Sequence, residues 1–112
     1  MKFSEYQSAT DDTAIYPEAG EGTWPALSYV GLGLGEIGEI QGKLKKIIRD
    51  HDGELTPDLK TAIKKELGDG FWYMARLCTE LELDGDEVLL ANLEKLEDRK
   101  KRDVLGGSGD NR

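Results

Sequence analysis

Apolar residues recur along this chain at the spacing of helices, and no stretch alternates as a half-buried strand would. Lys2 to about Ala14 reads as a short first helix. The segment Tyr16-Pro17-Glu18-Ala19-Gly20-Glu21-Gly22 reads as a loop punctuated by proline and glycine. A second helix opens near Thr23 or Trp24, with Thr23 as N-cap and Pro25 in the first turn, where its missing N–H costs little. It runs to about Asp50 and ends at His51-Asp52-Gly53. Thr56-Pro57-Asp58 opens a third helix that extends to about Leu83. Asp84, with Glu87 three positions on, forms a capping-box pattern and starts a fourth helix through Asn92 to about Arg102. The expected fold is all-α, a bundle of four main helices.

At about 100° per residue, Val30, Leu34, Ile37, Leu44 and Ile48 share one stripe of the second helix, the expected core face. Two acidic pairs break the ordinary pattern: Glu36-Ile-Gly-Glu39 and Glu66-Leu-Gly-Asp69. Carboxylates three residues apart project from roughly one helix face. The first pair points away from the core stripe, yet Leu32, Ile40 and Ile47 surround it, so it is expected to be partly enclosed. Gly31, Gly35, Gly38 and Gly42 form a further stripe, of the kind that lets another helix or a ligand approach the backbone. In the third helix Glu66 shares an angle with Leu59 and Leu77, and Asp69 lies beside Ala62 and Tyr73. Desolvating an unpaired carboxylate costs on the order of several kcal/mol, so acids among leucines need cations. Lys43, Arg76 or Lys95 could supply salt bridges. For two such pairs a metal is the favoured reading, and oxygen ligands alone select Mg²⁺, with Mn²⁺ as a substitute. A di-iron centre is disfavoured because it needs Glu-x-x-His pairs, and the one histidine, His51, follows Ile48 at that spacing. His51 is given no role.

A stripe of donors follows on the fourth helix. Asn92, Lys95 and Arg99 present an amide, an ammonium and a guanidinium suited to phosphate oxygens. Leu89, Leu93 and Leu96 are expected to anchor this helix to the core. Lys100, Lys101 and Arg102 read as a solvated helix end that complements the dipole. The tail from Gly106 to Arg112 has the composition of a disordered end, although its small residues, Ser108 and Arg112 could also close over an anion as a nest.

Size and charge bound these readings. A chain of 112 residues makes one domain, taken as residues 1–105 with a tail at 106–112. Alone it is short of surface to bury, so a homodimer or homotetramer is expected. A net charge of −8 argues against a nucleic-acid polymer as partner, whereas a small phosphorylated ligand carrying its own metal ions is compatible. No segment reaches the roughly 18 apolar residues of a membrane span, and Met1 to Tyr6 lacks the apolar run of a signal peptide. The single cysteine, Cys78, permits no intrachain disulfide and reads as a small core hydrophobe. A cytoplasmic protein is expected, with no membrane partner.

Three segments together resemble MazG-like nucleotide pyrophosphohydrolases, all-α enzymes related to dimeric dUTPases: Gly35-Glu36-Ile37-Gly38-Glu39, Glu66-Leu67-Gly68-Asp69-Gly70-Phe71-Trp72-Tyr73, and Asn92-Leu93-Glu94-Lys95-Leu96-Glu97-Asp98-Arg99. The similarity covers about Phe3 to Arg102. The ending Gly-Ser-Gly-Asp-Asn-Arg is similar to tails of short family members, several of them from phages, which would place the protein in a host cytoplasm. The resemblance implies Mg²⁺-dependent hydrolysis of a (deoxy)nucleoside triphosphate to the monophosphate and pyrophosphate. By position, Glu36, Glu39, Glu66 and Asp69 would hold the metal. A carboxylate of the first pair, Glu39 ahead of Glu36, would take the proton of the attacking water. Asn92, Lys95 and Arg99 would hold phosphate oxygens, Tyr73 would line the sugar pocket, and Trp24, with Leu27 and Tyr29, could stack on the base. Gly38, Gly68 and Gly70 depart from the family, which more often has larger residues there, so closer packing or a larger pocket could follow. Two other readings stand beside this one: a non-catalytic helical module that binds nucleotides or docks on a partner, and a structural oligomer whose acids are salt-bridged.

Overall fold

Local chemistry sets the helix starts. Thr56 Oγ1 accepts from the Leu59 N–H at 3.3 Å, and Asp84 Oδ1 accepts from the Asp86 N–H at 2.8 Å. Thr23 has the extended backbone of an N-cap before Trp24 and Pro25, but its Oγ1 is buried without a partner. In the computed structural model, which covers residues 1–112, the helices are α1 (Phe3–Ala9), α2 (Trp24–Gly33), α3 (Gly38–Asp50), α4 (Pro57–Glu80) and α5 (Gly85–Lys101). Short 3₁₀ turns occupy Thr10–Thr13 and Leu34–Ile37, and there is no strand. The all-α expectation is met.

The expected second helix is divided. Its path stays right-handed through Gly33, Leu34 and Gly38, but Leu34–Ile37 tightens to 3₁₀ geometry across the first acidic motif. Glycines on both sides weaken the α-helical alternative there. The tightening turns the chain by about 20° more per residue, roughly 80° over four residues. That rotation brings Ile47 to within roughly 20° of Val30 and carries Ile48 away from it. Accordingly Val30 and Ile47 are buried while Leu44 and Ile48 are exposed, so the predicted core stripe holds only in its first half.

Helix α4 is the spine: α1, α2, α3 and both 3₁₀ turns pack on it. Tyr16, Ala26 and Val30 form the small core, flanked by Trp72, Tyr73 and Leu77. Tyr16 stacks on Tyr29 with centroids 5.0 Å apart and meets the Trp72 ring edge-on at 6.2 Å. Beneath it lies a buried polar relay. Arg76 Nε donates to Tyr16 Oη at 3.1 Å, Tyr16 Oη donates to Glu80 Oε2 at 3.1 Å, and Arg76 Nη1 also reaches Thr10 Oγ1 and Asp11 Oδ1. Glu80 further accepts from the Gly20 N–H at 2.8 Å and the Gly22 N–H at 3.2 Å, which ties the 16–22 loop to α4. Burial raises the Tyr16 phenol pKa, so the hydroxyl stays a donor at neutral pH. Cys78 is half-buried, and burial pushes its thiol pKa up as well.

Helix α5 is held to the rest of the fold at its start. At the start, the Ser4 N–H and Oγ donate to Asp86 at 3.0 and 2.6 Å, and the Gly85 N–H donates to Gln7 Oε1 at 2.7 Å. Phe3 lies so close to Gly85 that a Cβ there would stand 2.2 Å from the ring. Beyond this joint α5 leaves the core, and Leu89, Leu93 and Leu96 are exposed, contrary to their expected anchoring role. The radius of gyration is 17.1 Å, against about 13 Å for a compact domain of this length. One chain leaves apolar surface uncovered. No helix is long and apolar enough to cross a membrane.

Candidate active site

The two acidic motifs meet along one seam, where the Leu34–Ile37 turn and α3 pack on α4. Two glycines permit the contact. A Cβ at Gly33 would stand 2.1 Å from the Tyr73 ring, and one at Gly70 would stand 3.0 Å from Ile37 Cγ1. The Tyr73 ring therefore lies against the α2 backbone, and its hydroxyl donates to Glu36 Oε1 at 3.3 Å. Burial, reinforced by the Glu36 charge, raises the Tyr73 pKa. Across the same seam Lys43 Nζ of α3 stands 3.8 Å from Glu66 Oε1 of α4. By contrast, a side chain at Gly31, Gly35, Gly38, Gly42 or Gly68 would meet nothing within 4 Å. The glycine stripe therefore serves no packing within this chain, and at this seam only Gly33 and Gly70 do.

Glu36, Glu39 and Asp69 are exposed, whereas Glu66 is half-buried beside Lys43. The enclosure expected for the first pair is absent in a single chain. No three His, Cys, Asp or Glu side chains stand close enough to hold one ion. The donor set still fits a hard divalent cation, because it is entirely carboxylate oxygen and two of its four members, Glu39 and Asp69, are exposed and held by no bond within the chain. Of the basic side chains expected as partners, only Lys43 contacts a motif acid. Arg76 belongs to the buried relay with Asp11 and Tyr16, and Lys95 faces Asp110 of the tail. Tyr6 of α1 comes near the seam unforeseen: burial raises its pKa, and the Asp69 charge adds to the effect. It helps line an apolar groove of about 450 Å³ with Phe3, Gly68, Phe71 and Leu89.

The donor stripe lies elsewhere. Helix α5 packs chiefly on α1 and not on α3 or the Leu34–Ile37 turn, so Asn92, Lys95 and Arg99 are not brought to the acids within one chain. Asn92 and Lys95 are exposed, while Arg99 is buried at 5% exposure and bonded to carbonyls of the tail. Trp24 is 80% exposed, free of any core role, and Tyr29 lies over Tyr16. His51 sits exposed at the end of α3.

The family of the MazG nucleotide pyrophosphohydrolase domain matches residues 27–104, more than half of the chain and inclusive of both motifs and the donor stripe. The chain belongs to the MazG family. It is also 50% identical over 114 residues, covering 100% of both chains, to "Gene 37 protein" of Mycobacterium phage L5. That likeness agrees with a short, phage-type MazG member. No solved structure matches the chain. The MazG match begins within α2, so α1 and the relay residues Asp11 and Tyr16 lie before it. Membership supports nucleotide pyrophosphohydrolase activity in general and a nucleotide as substrate.

Proposed function

We propose that the chain hydrolyses a (deoxy)nucleoside triphosphate to the monophosphate and pyrophosphate in a Mg²⁺-dependent reaction. The observation that carries this reading is the α3/α4 seam. Both acidic pairs lie along it, and contacts from Tyr73 to Glu36 and from Lys43 to Glu66 bridge its two sides. Glu36, Glu39, Glu66 and Asp69 would hold the ion. When bound, Mg²⁺ supplies positive charge against the phosphates and acidifies water. Glu39, exposed on the first turn of α3, takes the proton of the water that attacks the α-phosphorus. Tyr73 keeps Glu36 oriented and borders the sugar, and Trp24 offers a ring for the base. Asn92, Lys95 and Arg99 donate to phosphate oxygens.

A homo-oligomer joins the two halves of this site. The bare leucines of α5 and the groove beside Tyr6 and Phe71 give a second copy an apolar surface to cover, and its α5 would bring the phosphate donors to the acids. The test is product analysis over a full panel of ribo- and deoxyribonucleoside triphosphates with Mg²⁺ or Mn²⁺. Release of monophosphate and pyrophosphate from at least one member is expected. A panel without either product sinks the proposal, and tight binding without products would favour the non-catalytic module.

A further inference from the structure

Three arginines fold the C-terminal tail back on α5. Arg112 donates to the carbonyls of Leu105 and Gly106 at 3.0 Å each and to that of Gly109. Arg102 Nη1 donates to the Arg112 carbonyl at 2.7 Å, and Arg99 Nη2 to the Asp110 carbonyl at 2.7 Å. Gly107 and Gly109 make the reversal with φ of 95° and 89°, a region that L side chains rarely enter. All these bonds end on main-chain carbonyls, so the frame of the tail does not depend on the Asp110 side chain. That side chain is 88% exposed, yet its Oδ1 lies 3.5 Å from Lys95 Nζ and 3.7 Å from Arg99 Nη2. The one acidic side chain of the tail thus stands on two of the groups assigned to phosphate.

We infer that Asp110 is a self-carried competitor for the anion site formed by Lys95 and Arg99, an autoinhibitory contact on a C-terminal strap. The inference deepens the proposed function, on which it rests for the role of these two cations. Ion pairs this long, with the carboxylate itself in solvent, hold it weakly, whereas a polyphosphate brings more charge and more acceptor oxygens. A di- or triphosphate therefore displaces the Asp110 side chain. Arg99, Arg102 and Arg112 meanwhile keep the strap in place through its carbonyls.

Calorimetric titration with inorganic pyrophosphate, without divalent metal, tests this on the full chain. Asp110→Asn removes the competing charge and leaves the main-chain frame intact. It is expected to bind pyrophosphate about threefold to tenfold more tightly than the parent, the effect of releasing one or two weak ion pairs. In a Lys95→Ala background, where only the Arg99 contact remains to be released, the same substitution is expected to give a clearly smaller gain. Equal affinities of Asp110→Asn and parent, no measurable binding by either, or a gain undiminished by Lys95→Ala would each overturn the inference. Because the measurement needs neither metal nor turnover, a chain that hydrolyses no nucleotide can still pass it, and an active enzyme can fail it.

Discussion

Glu80 and the motif acids are carboxylates of neighbouring helical stretches in opposite circumstances. Glu80 is 3% exposed, and its oxygens accept from the Tyr16 hydroxyl and from the Gly20 and Gly22 N–H groups. Glu39 and Asp69 are exposed and accept nothing from the chain, Glu36 has one long bond from Tyr73, and Glu66 has one loose ion pair. A carboxylate whose lone pairs are filled by the chain's own donors fixes structure. Acids kept along one seam with their lone pairs largely unfilled contribute little to the fold and leave their oxygens open to a group from outside the chain. The contrast separates the part of the molecule that holds its shape from the part to which we assign the metal.

The contrast breaks first at Glu80. Glu80→Ala takes the acceptor from the buried Tyr16 hydroxyl and from two part-buried backbone N–H groups, so stability should fall by about 3 kcal/mol, a large share of what a domain of this size has. Urea denaturation followed by circular dichroism reads this, and an unchanged midpoint would show the relay to be dispensable. Glu39→Gln and Asp69→Asn should behave in the opposite way. Each removes a like charge from the seam, so stability should stay within about 0.5 kcal/mol of the parent or rise. Turnover should fall at least about 100-fold, equivalent to roughly 2.7 kcal/mol on the barrier. Activity that survives both substitutions refutes the metal assignment and leaves the seam acids as surface charge.

The same contrast explains what could be read in the sequence. Caps and helices are local, and Thr56, Pro57 and Asp84 mark starts that the structure keeps. The spacing within Glu36-Ile-Gly-Glu39 and Glu66-Leu-Gly-Asp69 is local too, so the motif acids were visible as a pattern before any fold was known. The partners of Glu80 lie 58 to 64 residues away, and Arg76 with Glu80 looks like any helical i, i+4 pair. Nothing local distinguishes it. The 3₁₀ turn was also hidden, because a wheel drawn at one pitch assumes the continuity that Leu34–Ile37 breaks. That break misplaced Ile47 and Ile48. The leucines of α5 were legible as an apolar face, but pattern cannot say whether such a face is covered by the same chain or by another. The tail shows a third limit: its composition suits disorder, and what orders it is Arg99, Arg102 and Arg112 finding carbonyls after the chain has turned.

The smallest expected effect lies where the two regions touch. Tyr73 packs against the core cluster through its ring and bonds to Glu36 of the seam through its hydroxyl. Tyr73→Phe keeps the ring over Gly33 and removes only the bond, so the fold should stay intact and melting should change little. If Tyr73 orients Glu36, kcat should fall about threefold to tenfold, in line with one hydrogen bond of about 1 kcal/mol. Glu36 would also hold its ion less well, and more Mg²⁺ would be needed for half-maximal rate. A purely structural tyrosine would lower the melting temperature and leave the Mg²⁺ requirement where it was. A loss of stability without a shift in metal requirement would therefore return Tyr73 to the core and leave Glu36 to be positioned by metal alone.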